Sequence, residues 1–442
     1  MNLSELGGFP KPYVELLIGD DTSPRAVPRR REELLTKARE VAKAISPGSR
    51  LVDAIQRGTL PFSRSPACKR STDIPALEQS ALIVAMPRIE RSGGSMSQLL
   101  KCVTAARLVR DLQLQGIPAA PVCWLMAHSM EPLKDGAEFH GLSEACGTTE
   151  ENFIHRIRYL LKSALEKEDI SEAPELFASA DPKTLVRYLW TCLGRDFGWL
   201  AADPGIGHLR QNHSGGPPGA GERWEELAAV DSVEPIMRLA PGLPIAAIVV
   251  GPDDFREAGE IADRIESAGS TRPVLFPRVS ATILDRRSSR IMRKYGFRLT
   301  DLLVQQEPQA AASGYGRDPS TIVGGINAAA RSVEAAVEEL AAGLAGQARL
   351  SRRIRANGAR ILFQVKKVEA RARRAFENLE AVLRRHGARL KARVAPEGSL
   401  QEESLSVLDF VECFSPDAVS MLYRQVDIWD HRHQLICLDE KS

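Results

Sequence analysis

Two apolar heptad patterns near the end of the chain constrain its fold most. The first has alternating steps of four and three residues at Ile326, Ala330, Val333, Val337, Leu340 and Leu344. The second has the same steps at Ile361, Val365, Val368, Ala372, Ala375, Leu379 and Val382. This spacing puts apolar side chains on one stripe of a helix, so each pattern predicts a long helix whose stripe is covered by a partner. Glycines at 343, 346 and 358 lie between the patterns. We therefore predict an antiparallel helical hairpin near residues 325–390, with its turn in that stretch.

The hairpin leaves two questions about partners. Each stripe is narrow enough to be satisfied by the other arm, and a second chain could add to it, so we expect a homodimer through the coiled coil. The hairpin is also basic, at Lys366, Lys367, Arg371, Arg373, Arg374, Arg384 and Arg385. Three carboxylates, Glu369, Glu377 and Glu380, interrupt that run. We therefore interpret it as a solvated face rather than an RNA-binding surface.

Upstream of the hairpin the pattern is that of an α/β fold. Apolar runs at 81–87 and 119–126 predict strands, and residues 96–115 between them predict a helix that ends at Gly116. A strand, a helix and a strand in that order indicate a parallel pair with a right-handed crossover. The pattern resumes with a strand at 244–252, a helix at 253–269 and a strand at 272–278. The sheet is thus predicted from two sequence-distant halves, with a mainly helical insertion between them.

These patterns divide the chain into six segments. They are an N-terminal helical and loop segment (1–75), the first half of the α/β core (76–130), a helical connecting insertion (131–242), the second half of the core (243–315), the coiled-coil hairpin (316–390) and a C-terminal segment that packs back on the core (391–442).

Composition sets the compartment and the partners. The 442 residues carry a net charge of +2, which predicts no obligatory nucleic-acid or membrane partner. Seven cysteines are widely spaced without a CxxC pair, which argues against a disulfide framework or a zinc knuckle. His431 and His433 are too sparse to indicate a metal site. Neither a signal peptide nor a run of about 18 apolar residues is recognisable, so we expect a cytoplasmic protein.

Three places at predicted strand ends carry candidate chemistry. Gly93 and Gly94 follow the first strand and open a helix, where they either bind an anion or simply form a turn. Arg278 and Ser280 follow the strand at 272–278, as an anion site or as a surface arginine with a helix-capping serine. His128, with Glu131, follows the second strand as a candidate acid and base, or as an ordinary loop residue.

One set of motifs resembles a known family. The order is VAMP, SGGSMSQLLKCVTAARLVRDL, GIPAAPVCWL, FGWLAADP, VVGPDD, PVLFPRVSATILD, the coiled coil and PEGSLQEE. From about residue 80 onward this resembles the bacillithiol biosynthesis cysteine-adding enzymes, the cysteine ligases. The matching residues are Gly93, Gly94, Lys101, Gly251, Pro252, Pro277, Arg278, Ser280, Gln401, Glu402 and a late histidine, either His431 or His433.

The resemblance implies a Rossmann-like core similar to class I aminoacyl-tRNA synthetases and a dimerising coiled coil. It implies addition of L-cysteine to glucosaminyl malate, with ATP or ADP as the nucleotide, and Gly93, Gly94, Lys101, Arg278 and Ser280 as ligand-binding residues. The family's Thr-Gly-Gln-Gln motif is replaced here by residues 85–88, Ala-Met-Pro-Arg. Our functional hypothesis is therefore a cysteine ligase with eroded active-site motifs. The alternative is an inactive paralogue that acts as a dimeric small-molecule-binding or scaffold protein.

Overall fold

A computed structural model describes residues 26–44, 80–89, 93–127, 243–304, 319–344, 346–414 and 417–438, with short pieces between 156 and 202 and at 240. The candidate acid and base, His128 and Glu131, lie outside the described residues. The chain divides into two compact units. One comprises residues up to Arg286 together with those from Ser399 onward, and the other comprises Arg287–Gly398.

The described helices are α1 (Ala26–Ala44), α2 (Met96–Leu114), α3 (Phe255–Ser267), α4 (Arg286–Tyr295), α5 (Leu299–Val304), α6 (Pro319–Gly343), α7 (Ala348–Val394), α8 (Gln401–Ser404), α9 (Val407–Phe414) and α10 (Asp417–Gln425). The strands are β1 (Ala81–Ala85), β2 (Arg88–Ile89), β3 (Ala119–Trp124), β4 (Met126–Ala127), β5 (Leu200–Ala202), β6 (Ile245–Val250), β7 (Val274–Pro277), β8 (Ala281–Asp285) and β9 (Gln434–Leu438). In the described parts of the chain, no helix is both long and apolar enough to cross a membrane.

The first unit is built on a five-stranded sheet with the order β5-β3-β1-β6-β7. Every neighbouring pair in it is parallel, which confirms the predicted parallel pairing of β1 with β3. The chain builds outward from β1 to β3 and β5, then returns to place β6 and β7 on the other side. The two sequence-distant halves therefore meet at β1 and β6, and the direction of winding reverses between these two strands.

Both faces of this sheet are covered, which explains the continuous apolar runs of its strands. In β1, Ala81, Ile83 and Ala85 pack into a core that includes α1 and α2. Leu82 and Val84 point to the opposite core, which includes α3. Alternation of side chains along a strand thus fills two helical layers from one five-residue strand.

The C-terminal residues complete this unit. Strand β9 pairs in parallel with β8, and α9 and α10 bury apolar residues in the same core as α2. The backbone N–H of Met96 donates to the carbonyl of Leu405, and Val407 donates to the carbonyl of Gly94. The start of α2 is therefore fixed by a segment that lies about 300 residues later in the chain.

The second unit contains α6 and α7, which pack against each other in opposite directions. The Ser351 hydroxyl donates to the carbonyl of Ala341 at 3.0 Å, and Arg355 forms an ion pair with Glu338 at 3.2 Å. Helix α6 ends at Gly343 and α7 begins at Ala348, both within the stretch where the turn was predicted.

Along α7 the covered positions differ from part of the predicted stripe. Positions 362, 365, 369, 372, 376 and 379 are partly covered. Ile361 and Val368, both placed on the stripe by their spacing, are 50% and 54% exposed. The covered positions 362, 369 and 376 each lie one residue after the predicted positions 361, 368 and 375. They continue the steps of three and four residues that start at the buried Ser351 and Gly358. The sequence could not give this register, because apolar residues occupy both adjacent positions at 361 and 362.

Gly358→Ala is expected to destabilise this unit by about 1–3 kcal/mol through overpacking. A Cβ at this position would lie 2.5 Å from Val337 Cγ2 and 2.6 Å from Cγ1. A glycine-to-alanine change in an open helix interior has the opposite sign, stabilising by about 0.5–1 kcal/mol. Gly324→Ala is the matched control, because nothing lies within 4 Å of a Cβ there. Urea unfolding measures the stability of both variants. Adding Val337→Ala to Gly358→Ala should recover the lost stability, because it removes the atoms that the new Cβ would meet. Equal stabilisation by the two alanines would contradict this close approach of α6 and α7.

Candidate functional site

A network of charged and polar side chains lies at the carboxyl ends of β1, β6 and β7. In parallel α/β sheets this edge is where ligands bind, at the point where the winding reverses. Here that point is between β1 and β6. The network draws on α2, the loop after β6, the residue after β7, helix α8 and the residue before β9.

Lys101 forms the first half of the network. It lies on α2 and is completely buried. Its Nζ contacts Asp254 Oδ2 at 2.9 Å and Asp253 Oδ2 at 3.1 Å, and donates to Gln98 Oε1 at 3.0 Å. The Gln98 amide in turn donates to Asp253 Oδ2 at 3.1 Å. A buried ammonium group needs such partners, because desolvation is costly for an unpaired charge.

Arg278 forms the second half, and its side chain is only 1% exposed. One guanidinium nitrogen donates to Glu402 Oε1 at 2.7 Å, and the other donates to Glu403 Oε1 at 2.6 Å. Glu402 is buried as well and accepts two more hydrogen bonds, from the Ser280 hydroxyl and from the backbone N–H of Ala281. Helix α8 is thereby held against the end of β7. Gln401 reinforces the contact by hydrogen bonding to the N–H and carbonyl of Ile283 in β8.

Gly251 lies where the two halves of the network meet. A Cβ on this residue would be 2.5 Å from Asp253 Oδ1, 3.0 Å from Lys101 Cε and 3.1 Å from Arg278 Nε. The backbone N–H of Gly251 donates to Asp254 Oδ1 at 2.6 Å. Only a residue without a side chain allows the two cations to approach this turn so closely.

His433 extends the network toward β8. Its Nδ1 is 2.6 Å from Ser280 Oγ, and its Nε2 is 2.8 Å from Thr282 Oγ1. Since the Ser280 hydroxyl donates to the carboxylate of Glu402, its oxygen accepts from Nδ1–H, and Thr282 donates to Nε2. Burial, followed by the positive charge of Arg278, lowers the pKa of His433 to about 3. The ring is therefore neutral at neutral pH.

Because the ring of His433 is neutral in the folded protein, we expect the free energy of unfolding to fall as the pH is lowered. The folded state disfavours its protonation, whereas in the unfolded chain the ring titrates near its ordinary pKa of about 6.5. The stability that the neutral ring contributes should therefore be present above pH 6.5 and be lost progressively as the pH falls toward 3. The pH dependence of unfolding free energy in this window should be flatter in His433→Gln. Histidine ring signals in NMR provide the direct measurement, and a ring that titrates near pH 6.5 would refute the assignment.

Two carboxylates of the network reach solvent. The side chain of Asp253 is 35% exposed and that of Glu403 is 42% exposed. Burial raises the pKa of Asp253, but the charges of Lys101 and Arg278 overcome that effect and lower it to about 2. The pKa of Glu403 is raised, chiefly by burial and also by the charges of Glu402 and Asp253. The exposed side of the network therefore presents one fully ionised carboxylate and one whose proton is more easily gained.

The predicted site residues are only partly brought together. Lys101, Arg278 and Ser280 belong to one network, as described above. Gly93 and Gly94 are both buried with positive φ, at 86° and 85°. The Gly93 carbonyl accepts a hydrogen bond from the Trp190 indole, and a Cβ on Gly94 would be 3.1 Å from the Arg88 carbonyl. The two glycines thus permit close packing of neighbouring segments.

Sequence reasoning missed the acidic half of this network. Asp253 and Asp254 were included only as the first residues of the helix predicted at 253–269, and Glu403 was not singled out. Glu402 was noted as part of a family resemblance, without a role. The late histidine had two candidates, and the structure places His433 in the network, whereas His431 packs near Phe276 with ring centroids 5.8 Å apart. An acidic pair directly after the Gly-Pro that ends a buried strand was the available signal.

Comparison with known proteins finds a similarity in the C-terminal part of the chain. Residues 281–438 match the family described as "Bacillithiol biosynthesis BshC, C-terminal coiled-coil domain". That match begins with β8 and ends with β9, and so includes α7, Glu402 and His433. This part of the chain is therefore similar to the C-terminal domain of the BshC family.

Two similar proteins carry the name "Putative cysteine ligase BshC". The protein from Solibacter usitatus (strain Ellin6076) is 26% identical over 197 residues, which are 44% of this chain and 38% of the relative. The protein from Symbiobacterium thermophilum (strain DSM 24528 / JCM 14929 / IAM 14863 / T) is 28% identical over 195 residues, 43% of this chain and 35% of the relative. The chain thus spans less than two-fifths of the length of these BshC relatives.

Proposed function

We propose that the protein is a ligase of bacillithiol biosynthesis that joins the carboxyl group of cysteine to the amine of glucosaminyl malate. The observation that carries this proposal is the match of residues 281–438 to the BshC family, together with two relatives named as cysteine ligases. The polar network gives the proposal a location, at the strand edge where α/β enzymes bind their substrates.

The strand order supports a Rossmann-like core for this enzyme. An open parallel sheet of order β5-β3-β1-β6-β7 has the reversal of winding that defines the ligand crevice of that fold. Asp253 and Arg278 follow β6 and β7 in the chain. Lys101 on α2 contacts Asp253, so all three residues lie near the reversal between β1 and β6.

The exposed carboxylates suit the amine substrate. An ammonium group is attracted to the ionised Asp253 and must lose a proton before it can act as a nucleophile. Glu403, whose pKa is raised, is the better placed of the two to take that proton. Cysteine addition forms a carbon–nitrogen bond and releases water, so in aqueous solution it requires a driving reaction.

The described residues do not offer an evident site for a nucleoside triphosphate. Lys101 and Arg278, the cations expected to hold an anion, each already contact two carboxylates. Whether the reaction depends on ATP is therefore tested directly in the assay below. The same neutralised cations favour the second hypothesis, a non-catalytic paralogue that binds a small molecule or serves as a scaffold.

The test is an assay of the purified full chain with cysteine and glucosaminyl malate, with and without ATP, in which thiol product is sought by mass spectrometry. We expect product from the wild-type protein and at least tenfold less from Asp253→Asn and Glu403→Gln, with circular dichroism showing that both variants are folded at the assay temperature. Absence of product from well-folded wild-type protein would overturn the ligase proposal in favour of the scaffold hypothesis.

The expected homodimer is checked separately by light scattering, where a monomer mass would refute it.

A further inference from the structure

The long helix α7 carries a strong excess of positive charge. Its 47 residues include fifteen Lys or Arg and only three Glu. At about 100° per residue, eight of the basic side chains fall within about 60° of the helix circumference. These eight, here called the basic stripe, are Arg349, Arg353, Arg360, Lys367, Arg371, Arg374, Arg385 and Arg389.

The basic stripe lies on the open side of α7. All eight residues are exposed, and none of them forms an ion pair with a described carboxylate. The covered positions of α7, such as 358, 365 and 372, are on roughly the opposite side of the helix. The stripe therefore faces solvent along about 60 Å, at 1.5 Å per residue from Arg349 to Arg389.

The three carboxylates that led us to interpret this region as a solvated face do not interrupt the basic stripe. Glu369, Glu377 and Glu380 lie about 90° or more from its centre. Glu369 and Glu380 are also occupied by ion pairs with Arg373 and Arg384, which are not stripe residues. The linear sequence mixes charges that the helix separates onto different faces.

The surroundings of the stripe add to its positive potential. His386 stacks on Tyr295 with ring centroids 5.2 Å apart. Burial and then four neighbouring cations, Arg385, Arg389, Lys294 and Arg287, lower the pKa of His386. Among the described residues, the charged groups that act on His386 are therefore all positive. This end of the stripe therefore repels cations, and a second copy of the stripe would be repelled for the same reason.

We propose that the basic stripe binds the phosphate backbone of a single-stranded nucleic acid. Seven of its eight side chains are Arg, whose planar guanidinium pairs with phosphate in a bidentate manner. Phe363 is 62% exposed and lies beside the stripe between Arg360 and Lys367, where a base can stack on it. An extended strand can follow a straight, convex helix, whereas a helix already packed against α6 is too wide for a B-DNA major groove of about 12 Å.

An anionic membrane is the less suitable partner. Helices that lie in a membrane interface present a broad apolar face containing Leu, Phe or Trp next to their cations. The face of α7 opposite the stripe is covered within this unit, and between the stripe residues the same side carries Ala356, Gln364, Asn378 and Ala381. One exposed aromatic side chain, Phe363, is much less than such an apolar face, so a hydrated phosphate chain with a base stacked on Phe363 is the better partner.

The experiment measures binding of the full chain to fluorescein-labelled 20-mer oligouridylate by fluorescence anisotropy over a range of NaCl concentrations. The stripe variant combines Arg360→Gln, Lys367→Gln, Arg371→Gln and Arg374→Gln. The matched control combines Arg355→Gln, Lys366→Gln, Arg373→Gln and Arg384→Gln, which removes the same number of Arg and Lys from another side of α7. Circular dichroism verifies that all three proteins have equal helix content.

We expect wild-type binding to weaken with salt at a logarithmic slope of about −5.6, as for eight phosphate contacts to a single strand. The stripe variant should bind about 100-fold more weakly near 0.1 M salt, with a slope of about −3, and the control should change less than about threefold. An oligodeoxythymidylate arm distinguishes DNA from RNA as the strand. Any of three results would overturn the proposal: no salt-sensitive binding by wild type, equal losses in both variants, or preferential binding to phosphatidylglycerol vesicles or to duplexes.

Discussion

Glu402→Gln is expected to lower the free energy of unfolding by about 3–5 kcal/mol, the range measured when one partner of a buried ion pair is removed. The side chains of Glu402 and Arg278 are each 1% exposed, and they are in contact at 2.7 Å. The substitution keeps the shape of residue 402 but leaves a buried guanidinium without its buried counter-charge. It also weakens the acceptor for Ser280 and for the N–H of Ala281.

Glu403→Gln is the control, because Glu403 contacts the same arginine from a position that is 42% exposed. Solvent screens this second pair, so its loss should cost about 1 kcal/mol or less. Urea unfolding monitored by circular dichroism compares the two variants. Equal losses in both, or a Glu402→Gln variant within about 1 kcal/mol of wild type, would show that the buried pair does not dominate the attachment of α8.

Lys101→Met is expected to destabilise the protein by a similar amount, about 3–5 kcal/mol. Met fills nearly the same space as Lys, so the lost interaction is the charge. Asp254, which is 2% exposed, would then be buried beside Asp253 without its cation. Adding Asp254→Asn should recover part of the loss, since it removes the uncompensated charge. Lys37→Met, on the partly exposed face of α1, is the control and should change stability by no more than about 0.5 kcal/mol.

The Lys101→Met deficit should also depend on pH. Burial and the nearby charge of Asp253 raise the pKa of Asp254 in the folded protein. A carboxyl with a raised folded-state pKa binds its proton more readily when folded, so stability is gained as the pH falls through that pKa. Without Lys101 this effect should be larger, and the deficit relative to wild type should narrow as the pH is lowered from 7. A deficit that widens on acidification would place the unpaired charge elsewhere.

Much of the architecture followed from apolar periodicity. The strands at 81–85, 119–124, 245–250 and 274–277 all lie inside the runs that predicted them. Helix α2 ends one residue from its predicted limit. These elements were predictable because a strand buried on both faces must be apolar throughout, and because Gly116, with φ of 72°, ends a helix by local geometry.

The candidate site was predictable only in part. Arg278 and Ser280 were recognised from their position at a strand end, and Lys101 only through the family resemblance. The carboxylate partners of Arg278 and Lys101 lie 124 and more than 150 residues away in the chain. No local pattern connects Lys101 to Asp253, or Arg278 to Glu402. Helices α6 and α7 show the same limit. The heptads predicted two long helices, whereas the exposure of Ile361 and Val368 followed from which face of α7 is covered by α6.

The sequence by itself therefore determined the elements, the parallel pairing of β1 with β3 and the resemblance to the BshC family. Periodicity and short motifs are local properties, and they are preserved whatever the rest of the chain does. Only the tertiary structure decided that the two cations are neutralised by acidic residues from distant segments, and that the Glu residues of α7 stand apart from its basic stripe. Both depend on direction in space: a charge acts over a few ångströms across packed segments, and residues adjacent in the chain point about 100° apart on a helix.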